Sequence, residues 1–156
     1  MANGATLRKI DLMADTVSHH SLLKSHSHIE HVRNGDLLYI ARPGTRGIAV
    51  VDLGNGKRLQ DLKGLGMPHR MHLSNGRLFV VDYGMSYGIR IEHLTTIDIK
   101  TGSINNSLSL GDLERDSFAG PTSQTPTKLA GSQEGGVFVS RNDDVWQFDE
   151  DGNILQ

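Results

Sequence analysis

Apolar positions in this chain come in short runs, not in helical stripes. "LLYIA" (37–41), "GIAVV" (47–51), "LFVV" (78–81) and "VFV" (137–139) are rich in β-branched and aromatic residues. Between and beside them stand Asn-Gly, Gly-Asn-Gly, Gly-Gly and Asp-Gly. Such runs suit a pleated backbone, and Asn-Gly or Asp-Gly supplies the positive φ that hairpin turns need. The pattern predicts short antiparallel strands joined by tight turns. Continuous rather than alternating runs predict strands covered on both faces. No apolar run approaches 18 residues, so no membrane-spanning helix is expected.

The pattern repeats. Sliding the chain by ~41 positions, a spacing typical of one module in a repeat array, lays "SHSHIEHVRNGDLLYIARPG" on "GMPHRMHLSNGRLFVVDYG". His28 then falls on His69, His31 on His72, and Asn34-Gly35 on Asn75-Gly76. A second apolar run ending in Asp follows each, at Asp52 and Asp98. "TPTKLAGSQEGGVFVSRNDDVWQFDEDGN" supplies a third copy, with Pro126 matching Pro68 and Asp149 closing the run. The expected layout is a module over 28–65, a second over 66–110, and a third over 126–156 that lacks its outermost strand. Residues 1–12 read as an outermost strand, 13–27 as a linker, 111–125 as a loop between modules, and 84–93 as a lengthened turn. An antiparallel sandwich is the alternative.

The stretch "GLGMPHRMHLSNGRLFVVDYG" followed by "TTIDIKTGSI" resembles the YVTN/YncE-type and LVIVD-type repeats of β-propellers. The third copy, through "GGVFVS" and "VWQFDEDGN", is similar to NHL-type and PQQ-type repeats. The resemblance covers about residues 26–156. It implies an all-β chain of three four-stranded antiparallel blades, but no fixed catalytic residues, because such folds carry unrelated functions. Propellers typically close with about 4–8 blades. Three blades therefore imply half of a six-bladed ring, closed by strand exchange in a homodimer, or a piece of a longer propeller.

Charge narrows the functional classes. Sixteen basic and eighteen acidic residues leave a net charge of −2. That offers no general attraction to nucleic acid or to an anionic membrane, so neither is an expected partner. With no cysteine there is neither disulfide nor thiolate chemistry. The first fifteen residues hold no apolar core of a secretory signal, and a soluble chain is expected.

Five of the eight histidines, His19, His20, His26, His28 and His31, crowd one segment. "HIEHV" and "HRMHL" read as innermost strands, and because side chains alternate along a strand, one equivalent set, His28 with His69 or His31 with His72, would turn toward the axis, where the copies of a dimer bring four together. Neutral imidazole is a common ligand of transition metals, so these four are the candidate site for a divalent metal such as Zn, Cu or Ca. Tyr83, Tyr87 and Arg90 flank or lie in the lengthened turn and are the candidate ligand-binding residues. Asp52, Asp98 and Asp149 read as turn-capping residues. Glu30 and Glu92 are carboxylates with no evident nucleophile beside them. Two function classes follow. One is a binding or scaffold module that recognises a protein, peptide or glycan through one face of the ring. The other is a metal-assisted hydrolase, lactonase or lyase with a histidine-lined channel.

Overall fold

The computed structural model describes residues 30–86, 89–111, 127–141 and 144–155. These residues are all-β: eleven strands, one three-residue 3-10 turn at Pro43–Thr45, and no α-helix. The strands are β1 (His31–Asn34), β2 (Leu37–Arg42), β3 (Gly47–Asp52), β4 (Arg58–Leu62), β5 (Met67–Ser74), β6 (Arg77–Ser86), β7 (Ile89–Asp98), β8 (Ile104–Ser109), β9 (Lys128–Gly131), β10 (Val137–Arg141) and β11 (Asp144–Phe148). They form three antiparallel meanders in chain order: β1–β4, β5–β8 and β9–β11. The third sheet begins a fourth strand through the bridge between Phe148 and Ile154.

Turn chemistry explains the short connections. Asn75 and Gly76 join β5 to β6 with φ of 45° and 74°, the double positive φ of a type I′ hairpin. Each run-ending aspartate caps its own turn. Asp52 accepts from the Gly54 N–H at 2.7 Å, Asp98 from the Lys100 N–H at 2.8 Å, and Asp149 from the Asn153 N–H at 2.8 Å. The capping role expected for all three is present.

The core lies between the sheets. Tyr39, Ala41, Ile48, Val50 and Leu62 of the first sheet pack on Met71, Leu78, Val80 and Ile97 of the second. On the far side of the second sheet, Phe79, Val81 and Leu94 meet Val137, Val139 and Phe148 of the third. Strand β6 thus sends alternate residues into two cores, which is why "LFVV" is continuously apolar and fully buried. The first strands of neighbouring sheets also pack side by side, β1 against β5 and β5 against β9.

Three expectations need correction. Residues 84–93 are not a long turn: β6 runs on to Ser86 and β7 resumes at Ile89, paired through Met85 and Arg90. Continued cross-strand pairing satisfies these backbone groups better than an open loop would. The third sheet is covered on one face only, since Phe138 keeps 36% of its surface exposed and Val145 63%. The repeat slide is also one residue off. Asn34 pairs Leu37 across the first turn, and Ser74 pairs Arg77 across the second. The sheets therefore equate Gly35-Asp36 with Asn75-Gly76, and His31 with Met71 rather than His72. A one-residue shift moves every side chain to the opposite face, so the two histidine pairs do not occupy matching places. The expected strand at 1–12, the linker at 13–27 and most of the 111–125 loop lie outside the described residues.

Candidate functional site

The densest polar cluster lies where the second and third sheets meet, at the end of the apolar core they share. Its centre is Glu92 in β7, whose side chain is only 5% exposed. Glu92 Oε2 accepts a 2.7 Å hydrogen bond from Thr127 Oγ1, just before β9. The same oxygen lies 3.3 Å from Arg141 Nε at the end of β10. Glu92 Oε1 faces His69 Nε2 at 2.9 Å. The ring N–H is not aligned on that oxygen, so the contact is a close pairing rather than a straight hydrogen bond.

Local backbone geometry puts His69 there. Pro68 pairs Asp82 and Arg70 pairs Val81, so His69 is the extra residue of a β-bulge. Bulges re-aim side chains. Here the bulge lays the imidazole flat on Tyr83, with ring centroids 4.2 Å apart and planes 6° apart. Tyr83 in turn pairs with Glu92 across β6 and β7.

Electrostatics keep Glu92 ionised. Burial alone would raise its pKa, but the close contact with His69, the hydrogen bond from Thr127 and the nearby charge of Arg141 outweigh it. The net shift is downward from the ordinary 4.5. Asp82 is the second buried carboxylate of this sheet. It accepts from the Gly66 N–H and from Thr95 Oγ1, both at 2.9 Å, and so ties the sheet's entrance to its middle.

The expected site residues are dispersed. His69 and Tyr83 meet, as just described. His72 lies against Gly131, where an added Cβ would come within 2.6 Å of Nε2, and burial lowers its pKa. His31 is exposed in β1. Arg90 stands in β7 opposite Met85. His28 and Tyr87 lie outside the described residues. Among the described residues no three His, Asp or Glu side chains stand together as metal ligands. Thr127 and Arg141 were not anticipated as partners of Glu92. The available signal was the carboxylate in "IRIEHL", an acid two residues before an inward Leu94 on the same strand face.

Chemically, the cluster ties up its own carboxylate. Glu92 Oε2 is held by Thr127 and Arg141, Oε1 is closed off by the His69 ring, and the nearby hydroxyl, Thr127, is 1% exposed. That is the character of a polar clasp between sheets.

No protein-family description matches the chain. No curated protein matches it either. Solved structures do. The extracellular domain of a protein assigned as a one-component system of B. thetaiotaomicron matches 81% of this chain at 12% identity and TM-score 0.51. A protein of unknown function from Bacteroides caccae matches 80% at 15% identity and TM-score 0.53. This chain spans 15% and 46% of the lengths of those two. The likeness supports a repeat-like all-β fold. Among the described residues no helix is long and apolar enough to cross a membrane.

Proposed function

We propose that this chain is a set of β-propeller blades that acts as a binding module, recognising a protein, peptide or glycan at one end of its sheets. Adjacent first strands and a middle sheet buried on both faces support the blade arrangement. The observation that carries the binding role is the β6–β7 hairpin. Each of its strands is ten residues long, against six for β2 and β3, so it reaches past the neighbouring hairpin. It bears Tyr83 in β6 and Arg90 in β7. Tyrosine and arginine are residue types that recognition surfaces favour. The Glu92 clasp anchors the base of that hairpin to the third sheet. Hydrolysis has less support, because the buried carboxylate is held by Thr127 and Arg141 and shut off behind the His69 ring.

A second copy of the chain completing the ring is part of the same proposal. The outward face of the third sheet presents Phe138 and Val145, both exposed. The corresponding face of the first sheet is not free in this way, since Ile40, Ala49 and Val51 are buried there. The partner therefore meets the third sheet.

The recognition role is tested by labelling the chain and reading it across peptide and glycan arrays. Specific hits lost in a Tyr87→Ala/Arg90→Ala variant of unchanged melting temperature are expected. Absence of specific hits, or hits equally strong in that variant, overturns it.

A further inference from the structure

A separate cleft opens at the end of the first sheet, lined by Arg42, Thr45, Gly47, Arg58, Asp61 and Lys63, with a volume of about 320 Å³. Three cations face one carboxylate there. Arg58 takes up Asp61 through two of its guanidinium nitrogens. Arg42 lies 3.7 Å from the same carboxylate, beyond hydrogen-bond distance, with its side chain only 12% exposed. Lys63 is exposed at the cleft's edge. Asp61 is taken up by Arg58, so the charges of Arg42 and Lys63 are in surplus over that carboxylate and face a partly desolvated space. Such charge attracts an anion more strongly than it would in open water.

The backbone keeps the cleft open. Gly47 begins β3 opposite Arg42, and a Cβ there would lie 2.8 Å from the Leu62 carbonyl oxygen. The turn at Pro43–Thr45 joins β2 to β3 at the cleft, with Thr45 Oγ1 donating to the Arg42 carbonyl at 3.4 Å. A planar guanidinium and an exposed ammonium lining one space match an oxyanion. Arginine offers paired donors, and lysine a point charge. The volume is at the small end of ligand sites, about 300–1,000 Å³.

We infer that this cleft binds a small molecule or ligand group bearing an oxyanion, with Arg42 and Lys63 as its cationic contacts. It stands on different residues from the β6–β7 hairpin and does not depend on that hairpin's role.

Calorimetric titration of the purified chain with inorganic phosphate and, separately, with succinate tests it, with ionic strength held constant by sodium chloride. Saturable binding of at least one is expected, weakened about tenfold in Arg42→Met and in Lys63→Met. Lys57→Met changes the net charge equally but lies in the turn at the other end of the sheet. It should bind as the wild type does. Saturation by phosphate alone marks a phosphate or sulfate ligand, and by succinate alone a carboxylate ligand; either supports the site. Absence of saturation with both overturns it, as does equal weakening in Lys57→Met or unchanged affinity in Lys63→Met. Lys63 is exposed, so its variant stands as the test even if Arg42→Met folds poorly.

Discussion

Glu92 Oε1 stands 2.9 Å from His69 Nε2 within the second sheet, while its other carboxylate oxygen reaches Thr127 in the third. One buried side chain thus joins a bulge in β5, the middle of β7 and the first residue before β9. The clasp closes the polar end of a core that is otherwise apolar.

Glu92→Gln should therefore destabilise the fold by about 2–4 kcal/mol near neutral pH, because it removes the buried negative charge that Arg141 faces and the acceptor that Thr127 donates to. The pH dependence has a definite sign. The native carboxylate is more acidic than the ordinary 4.5, so the unfolded chain binds more protons over that range. This contribution is present above about pH 4.5 and is lost as the pH falls through the native value. Urea unfolding at several pH values should show the wild type weakening on acidification below pH 4.5. Glu92→Gln should show less of that slope, and a parallel pair of curves would refute the role.

Close backbone approach gives a sharper contrast. A Cβ at Gly66 would lie 2.2 Å from the Tyr83 carbonyl oxygen and 2.6 Å from Asp82 Oδ1. A Cβ at Gly44 meets nothing within 4 Å. Gly66→Ala should cost about 3 kcal/mol, since backbone must shift and the Gly66–Asp82 hydrogen bond with it. Gly44→Ala should stay within about 0.5 kcal/mol. Thermal melts of the two variants decide it, and similar melting temperatures would contradict the packing described.

Much of this fold was legible in the chain, and each miss has a physical origin. Apolar runs and glycine turns located the strands because β propensity and turn geometry are local. Asp52, Asp98 and Asp149 were legible as caps because an Asx turn spans only a few residues. The bulge at His69 was not, because inserting one residue leaves the apolar pattern around it almost intact. Similar-looking histidine pairs then aligned with an offset of one, which in a strand is a change of face. The Glu92 clasp was hidden for another reason: its partners lie 23, 35 and 49 positions away, and no local pattern connects them. The 84–93 segment read as a lengthened turn because it does not fit the repeat, yet pairing continued through Gly84.

Self-association follows from the open face of the third sheet. Light scattering should give twice the mass of one chain for the wild type. Phe138→Glu/Val145→Lys should give a single-chain mass with its melting behaviour retained, since both side chains are on the outward face. A wild type that scatters as one chain at high concentration would sink the ring-completing copy.

Sharing of β6 between two cores makes a last, global claim. Leu78 faces the first sheet and Phe79 the third, and both are fully buried. Leu78→Ala should cost about 2–5 kcal/mol and Phe79→Ala about 3–5 kcal/mol, each from lost burial and a residual cavity. The two deletions strike different cores, yet the strand that carries them is one hydrogen-bonded unit. Scanning calorimetry should therefore show a single transition, shifted down in either variant, because neither core can melt without releasing β6. Two separated transitions in Phe79→Ala, with the later one at the wild-type temperature, would show the third sheet coming away from an intact pair of sheets and would end the case for a continuous array.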